Sequence, residues 1–472
     1  MDATLVAGWK DLCQQLAPAF TAPTLVTFLH LATGWVLCRS RPAVTSLVLT
    51  VGERLLGHAA RHWVTYERFF YRAAWSLEEV SRLLLVRVVV PLVDAFGEPG
   101  EDGPGAGRLP PVSLNIDDTT AARYGRHVAY AGYFKDASAS NALKTVCHWS
   151  HNWVIGCVHL RCRLWPDWVI ALPVLFALYR KRKDCDGPRP FRSRHELAAA
   201  MLGQARAALP GRKIEVGADG QYATQVLCGA VARDNGESLV SRIRSDAALY
   251  ALPPKRRPPG RRGRAPKKGK RLPTPRVMAA RRKKRWRTVE VLAYGRRVKK
   301  LVLSVVCLWP HVCGYEPIKL LIVRDPDGKQ RDDFFFCTDP AVSDERVVER
   351  AAARWPIEEC IRDAKQHGGF EKVQGWCKRT VERQAPFALV VQTLVKAWYV
   401  RHAAAGKDAA RVRPRGHEAC GWLKEKPHPS YLDMLATLRR ALWEDRINTN
   451  STPAGRAWGI WKVLHFTLCA AA

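Results

Sequence analysis

Acidic residues follow two apolar segments of this chain and lie inside one strongly charged segment. Asp117 and Asp118 end one short segment with strand character, and Asp219 ends a second one. Glu358 belongs to the charged segment 354–365. Because strands of successive βα units lie side by side, we expect these carboxylates to point at one place. Such a set suits two divalent cations flanking a phosphodiester, although an acid at a strand end is most often a turn or cap residue.

The ligand set contains only oxygen donors, which favours Mg²⁺ or Mn²⁺ over zinc. Carboxylates held this close must be kept ionised by the cations, so metal affinity should fall at low pH. A zinc site is the alternative at a second cluster of side chains. The cluster consists of His148, His151, Cys157, His159 and Cys162. It continues an apolar run and lacks C-x-x-C pairs, which favours a buried strand over a zinc site.

The charged segment 354–365 has the spacing of a helix. Glu358, Arg362 and Lys365 share one helical face, and Arg354 lies just before it. Pro356 predicts either a kink or a new helix that has proline at its first position. The cations suit phosphate groups, whereas the alternative is a solvated charged helix that binds nothing.

The composition indicates a polyanionic partner. The 472 residues carry a formal charge of +33, which favours DNA or RNA and, second, an anionic membrane surface. We find no apolar run long enough to span a bilayer and no signal peptide, so we expect a cytoplasmic, nucleoid-associated protein. The 14 cysteines are scattered, as in a chain from a reducing compartment.

A long basic segment, 253–287, lies between predicted strands, and no acidic residue occurs between Asp246 and Glu290. It is too polar to fold alone, so we expect it to stay loop-like until it meets phosphates. The preceding segment 239–251 is predicted to be an exposed basic strand. The candidate phosphate contacts of the two segments are Arg242, Arg244, Lys267, Lys268, Arg281, Arg282 and Lys283.

Hydrophobic periodicity divides the chain into helical and strand-rich parts. Residues 1–100 read as a helical, DNA-binding domain, with helices at 43–56, 65–75 and 76–90 and a stop at Pro91. Strands and helices alternate over 110–220, strands dominate 221–340, and helices dominate 341–403 and 404–472. The Gly/Pro-rich segment 97–111 reads as a linker.

In sequence order, the motifs resemble those of the DDE transposases of bacterial insertion sequences. They are Asp-Asp-Thr at 117–119, Ala-Asp-Gly-x-Tyr at 218–222, and Arg-Trp-x-Ile-Glu-Glu at 354–359 with Lys365 seven residues after Glu358. More narrowly, they resemble the branch with a β-rich insertion before the Glu and a Tyr-Arg-Glu-Lys signature. This chain has Ala351 where that signature has its tyrosine.

The resemblance implies an α/β fold with a ribonuclease-H-like mixed sheet and flanking helices, in two parts at 110–220 and 341–403. The β-rich insertion would occupy 221–340. Asp117 or Asp118, Asp219 and Glu358 would be the catalytic metal ligands, with Mg²⁺ as the ion and Mn²⁺ able to substitute. Arg354 and Lys365 would hold the DNA end.

The sequence therefore predicts a transposase that binds the terminal inverted repeats of its element, cleaves DNA and joins it to a target. Its partners would be double-stranded DNA at the element ends and the target. Because two ends must be held together, we expect a homodimer on DNA and no membrane partner. The alternatives are a related nuclease without strand transfer and a non-catalytic DNA-binding derivative.

Overall fold

The computed structural model describes residues 3–98, 109–136, 139–141, 143–254, 266–281, 285–405 and 428–448. Several predictions lie outside these ranges, namely most of the linker, the middle of the basic segment, the loop after residue 405 and the tail after residue 448. Arg282 and Lys283 are among the residues outside them.

Residues 3–98 form helices and one short hairpin. Ser76 caps the fifth helix by accepting a hydrogen bond from the backbone N–H of Glu79, as its capping-box sequence predicts. The elements are α1 (Ala3–Gln14), α2 (Ala22–Leu37), α3 (Val44–Val51), β1 (Arg54–Leu55), β2 (His58–Ala59), α4 (Trp63–Tyr71), α5 (Leu77–Leu83) and α6 (Val90–Phe96).

Three helix ends in this part differ from the prediction. The helix predicted over 65–75 ends at Tyr71. The helix predicted over 43–56 ends at Val51, because Gly52 has a φ of 64° and a tight hairpin follows. The predicted stop at Pro91 is wrong. A π-helical segment, Leu84–Val89, joins α5 to α6 and the helix continues to Phe96. Pro91 lies in the first turn of α6, and the wider π turn before it accommodates the proline ring.

Strands and helices alternate in the rest of the chain. The strands are β3 (Val112–Ala122), β4 (Gly132–Lys135), β5 (Cys147–Arg161), β6 (Val169–Tyr179), β7 (Ile214–Ala218), β8 (Ser238–Arg242), β9 (Arg287–Ala293), β10 (Arg296–Leu308), β11 (Pro317–Arg324) and β12 (Asp333–Cys337). The helices are α7 (Arg194–Ala208), α8 (Gln225–Ala230), α9 (Pro275–Arg281), α10 (Pro310–Cys313), α11 (Asp344–Ala352), α12 (Pro356–Gln366), α13 (Lys378–Ala405) and α14 (Tyr431–Asn448).

In the described part of the chain, β3 to β12 form one mixed sheet. Its order is β4-β5-β3-β7-β8-β12-β11-β10-β9, and β6 pairs with β5. The pairs β3–β7 and β7–β8 are parallel, and the other pairs are antiparallel. Helices flank the sheet, which confirms the predicted α/β class with a mixed sheet.

The strands of the predicted insertion belong to this same sheet. Strand β12 pairs with β8 through Ser241 and Phe336, so β9 to β12 extend the sheet that carries the acids. The exposed basic strand predicted over 239–251 is shorter and mostly buried, because β8 is an interior strand and only its last residue, Arg242, is exposed. The basic segment also contains a helix, α9, whose Met278 and Ala279 are buried.

Helix α13 lies at the centre of the core and connects the two parts of the protein. Its residues from Phe387 to Val400 are buried, and it contacts β6 on one side and the N-terminal helices on another. Trp398 Nε1 donates to the carbonyl of Leu5 at 3.0 Å, and Trp35 Nε1 donates to that of Gly368 at 2.8 Å. The helices before residue 97 and the sheet therefore share one hydrophobic core.

Within the described ranges, we find no helix that combines the length and the apolar character needed to cross a bilayer.

Candidate active site

Asp117 and Asp219 lie side by side in the sheet. Strands β3 and β7 are parallel, and their last paired residues are Ile116 and Ala218. The next residue on each strand is one of the two acids. The expectation that Asp117 ends its strand is wrong, because antiparallel pairing with β5 carries β3 on to Ala122. The acids are brought together where β7 stops rather than where β3 stops.

Consecutive residues of a strand point to opposite faces of the sheet, so Asp117 and Asp118 have different surroundings. Asp117 Oδ2 accepts a hydrogen bond from Arg354 Nη1 at 3.2 Å, on the side of α12. Asp118 Oδ2 accepts one from Arg194 Nη1 at 2.8 Å, on the side of α7. The two aspartates, which the sequence leaves equivalent, are therefore distinguished by the face of the sheet on which each lies.

Glu358 reaches the same place from the first turn of α12. Pro356 begins this helix, which confirms a new helix over a kink. Its apolar face, with Ile357, Cys360 and Ala364, is buried against the sheet. The Glu358 side chain is 46% exposed, and its Oε1 accepts a hydrogen bond from Arg354 Nη2 at 2.6 Å.

Arg354 thus bridges an acid of the sheet and an acid of the helix. Burial raises the pKa of the Asp117 carboxyl to about 7, although the Arg354 guanidinium and the backbone N–H of Asp118 favour its ionised form. The negative charges of Asp118 and Asp219 raise the pKa of Asp117 further. One cationic side chain therefore connects Asp117 and Glu358.

Asp118 has a full set of partners on its own face. Its Oδ1 accepts hydrogen bonds from Gln221 Nε2 at 2.8 Å and Tyr222 Oη at 3.0 Å. Its Oδ2 accepts from Asn152 Nδ2 at 2.9 Å and from Arg194. The side chain is 8% exposed.

Residues 15–298 match the family described as DDE superfamily endonuclease, which is more than half of the chain. The chain belongs to this family. The matched range contains Asp117, Asp118 and Asp219 and ends before Glu358. The chain is also similar to a cryo-EM structure of the piggyBac transposase synaptic complex with hairpin DNA, at 10% identity and a TM-score of 0.41. That similarity covers 94% of this chain and 76% of the other. No curated protein matches the sequence.

DDE superfamily endonucleases generally use divalent metals. The residues here fit such an ion by their chemistry, since Asp117, Asp219 and Glu358 offer carboxylate oxygens and Asp117 is largely buried from water. Among the residues the structure describes, no group of three or more acidic, histidine or cysteine side chains is arranged to hold a metal. Arg354 supplies positive charge between Asp117 and Glu358.

The zinc alternative concerned residues on and beside β5. His159 Nδ1 lies 2.6 Å from the carbonyl oxygen of Ala353, and His151 Nε2 lies 2.8 Å from that of Ala129. His151 Nδ1 accepts a hydrogen bond from Arg123 Nε at 2.9 Å. Both histidines are buried within the strand, where they connect it to neighbouring segments.

The predicted cations of this endonuclease lie on several surfaces. Arg362 pairs with Glu359 at 3.5 Å and is 54% exposed, while Lys365 pairs with Glu371 at 3.4 Å and is 27% exposed. Arg242 lies close in space to the turn that begins at Asp219, because a Cβ on Gly220 would lie 3.2 Å from Arg242 Cβ.

The remaining cations lie further along the chain. Arg244 pairs with Asp246 at 2.8 Å and is 80% exposed. Lys267 lies over the ring of Tyr315 and Lys268 over that of Tyr250. Arg281 ends α9.

The partners of Asp118 include residues that the sequence did not single out. Arg194 and Asn152 lie 76 and 34 positions from it in the chain. Arg194 reads as an ordinary first residue of a helix, and Asn152 as part of an apolar strand. Tyr222 is different, because it belongs to the Ala-Asp-Gly-x-Tyr motif and its spacing from Asp219 was visible.

Proposed function

We propose that this endonuclease is a DNA transposase of the insertion-sequence type. It would bind the terminal repeats of its element, cleave there and join the freed end to target DNA. The observation that carries the proposal is that Arg354 contacts both Asp117 and Glu358, while Asp219 follows the strand paired with that of Asp117. Two of these acids come from neighbouring strands and one from a helix more than a hundred residues later, and Arg354 connects the helix acid to Asp117.

Asp117, Asp219 and Glu358 would hold the divalent ion, Mg²⁺ or in its place Mn²⁺. When bound, the metal supplies charge stabilisation at the phosphate and a lowered pKa for the attacking hydroxyl or water. The pairing of β3 with β7 supports a position of Asp117 beside Asp219, and Arg354 connects Glu358 of α12 to Asp117. Asp118 is not in this set, because its oxygens already accept four hydrogen bonds on the other face.

The cations around the site would bind the DNA backbone. Arg242 lies beside the Asp219 turn and is 57% exposed, and Arg362 lies on the exposed side of α12. Arg354, once it releases the acids, would contact the DNA end together with Lys365. Lys267 and Lys268 extend this basic surface. A transposase must hold two ends, so the working form would be a homodimer on DNA.

A second candidate is a nuclease that cuts without joining, which the family description as an endonuclease favours. The two candidates differ only in product. The assay is cleavage of a labelled duplex that carries the DNA flanking the gene, with Mg²⁺, Mn²⁺ or EDTA. Joined products support the transposase, while hydrolysis alone supports the nuclease.

The matched variants for this assay are Glu358→Ala and Glu359→Ala. The two acids are adjacent on α12, but only Glu358 contacts Arg354, while Glu359 pairs with Arg362. We expect cleavage to be lost in Glu358→Ala and kept in Glu359→Ala, with DNA binding retained in both. DNA binding by the wild type without cleavage in any metal would contradict the proposal and indicate a non-catalytic DNA-binding protein.

A further inference from the structure

Each carboxylate oxygen of Asp118 accepts two hydrogen bonds. A carboxylate has about four lone-pair directions. Gln221 and Tyr222 donate to Oδ1, and Asn152 and Arg194 donate to Oδ2, all within 3.0 Å. A buried carboxylate with this set of donors is already stabilised as an anion and has no oxygen direction left for a metal.

The two donors on Oδ1 belong to the turn that begins at Asp219. Asp219 is followed by a single 3₁₀ turn, Gly220–Tyr222, in which the N–H of Tyr222 donates to the carbonyl of Asp219 at 2.9 Å. Ser241 Oγ on β8 donates to that same carbonyl at 3.1 Å. The position of the Asp219 backbone is therefore fixed from two sides, by β8 directly and by Asp118 through Tyr222 and Gln221.

We infer that Asp118 is a positioning residue that holds the turn Gly220–Tyr222 so that Asp219 lies beside Asp117, and that it takes no part in metal coordination. This inference rests on the proposed function, because it takes Asp117 and Asp219 as metal ligands. Residues that orient metal ligands typically contribute 10- to 100-fold to metal affinity. One strand of this fold thus presents a ligand on one face and the support for the second ligand on the other.

The test is a titration with Mn²⁺ followed by electron paramagnetic resonance, on the full chain without DNA. Tyr222→Phe removes the hydroxyl donor, and Gln221→Ala removes the amide donor of an exposed side chain. The control is Tyr66→Phe, which removes a buried hydroxyl bonded to His30 at 2.9 Å in the helical part. We expect the double variant Tyr222→Phe/Gln221→Ala to bind Mn²⁺ about tenfold more weakly, and the control to bind as the wild type does.

The direction of the change in Mn²⁺ affinity distinguishes a positioning role of Asp118 from a role as a metal ligand. If Asp118 were a ligand, removing two competing donors would free its Oδ1, and Mn²⁺ affinity would hold or rise. Unchanged or tighter binding in the double variant therefore overturns the inference. A purely structural role would lower the melting temperature of Tyr222→Phe and Tyr66→Phe alike without a selective loss of Mn²⁺, which also overturns it.

Asp117→Asn and Asp219→Asn separate this inference from the proposed function. Loss of Mn²⁺ binding in both variants establishes them as ligands, whatever the double variant does. If the wild type fails to bind Mn²⁺, or if these two variants bind it as the wild type does, the proposed function fails and the positioning role fails with it.

Discussion

Arg354 Nη2 lies 2.6 Å from Glu358 Oε1, and this contact makes an arginine the counter-ion of the acid cluster. The guanidinium is 18% exposed and also reaches Asp117. A divalent cation that binds these acids must take over both contacts. The arginine that the family resemblance assigns to the DNA end would then be free to contact a phosphate.

Replacing Arg354 by Gln should tighten Mn²⁺ binding in the absence of DNA by about tenfold or more. The reason is that the guanidinium would no longer compete with Mn²⁺ for the carboxylates of Asp117 and Glu358. The measurement is a calorimetric Mn²⁺ titration. Arg362→Gln is the control, since Arg362 contacts Glu359 on the exposed side of the same helix. Weaker Mn²⁺ binding by Arg354→Gln than by the wild type would show that Arg354 supports the ligands rather than competing with the metal.

Stability should fall as the pH falls from about 6.5 to about 4. Burial lowers the pKa of His151 to about 4, and the nearby Arg123 lowers it as well. The folded protein keeps this ring neutral while the unfolded chain takes up a proton below pH 6.5, so the contribution is complete above pH 6.5 and is lost towards pH 4. We expect a loss on the order of 1 to 3 kcal/mol from this residue.

Urea unfolding at pH 7, 5.5 and 4.5 measures this loss. His151→Gln should show a smaller decrease with pH than the wild type. His148→Gln, which changes an exposed histidine on the same strand, should keep the wild-type decrease. An equal decrease in the wild type and in His151→Gln would assign the effect to other groups.

Replacing Lys267 and Lys268 by Ala should weaken DNA binding and reduce its salt dependence. Each lysine that neutralises a phosphate contributes about 0.9 to the slope of log K against log salt concentration, so the double variant should lose about 1.8. Fluorescence anisotropy of a labelled duplex over a range of NaCl concentrations gives the slope. Lys329→Ala is the control, because Lys329 is 78% exposed in the turn before β12 and pairs with Asp327. A wild-type slope in the double variant would remove these lysines from the DNA surface.

Arg350→Ala should destabilise the protein by about 3 to 5 kcal/mol, since Arg350 is a buried cation with several partners. Its Nη1 donates to Ser238 Oγ at 2.8 Å, and its Nη2 donates to the carbonyls of Ser238 and Val216. These bonds attach α11 to β7 and β8. Arg82→Ala, which removes an exposed pair with Glu79, should change stability by less than about 0.5 kcal/mol. Comparable losses in both variants by urea unfolding would contradict the role assigned to Arg350.

The sequence was informative where a local pattern decides the structure. The acid after β7 was predictable because an apolar run stops there, and the start of α12 because proline suits a first helical position.

The features that depend on distant partners were not predictable. The length of β3 is set by β5, which pairs with it up to Ala122, and no signal near Asp117 reports this. The burial of β8 follows from its place between β7 and β12. The alternation of a strand places Asp117 and Asp118 on opposite faces of the sheet. It does not say which face packs against α7 and which against α12, so that assignment needed the structure.

The hydrophobic core that joins α1–α6 to the sheet through α13 also fixes a distance. Within the described residues, the contacts of Trp35 with Gly368 and of Trp398 with Leu5 hold these parts against each other. A base pair read by the N-terminal helices would therefore always lie the same number of ångströms from Asp117. In such an enzyme, the packing of α13 would set the distance along the DNA between the recognised sequence and the cleaved bond.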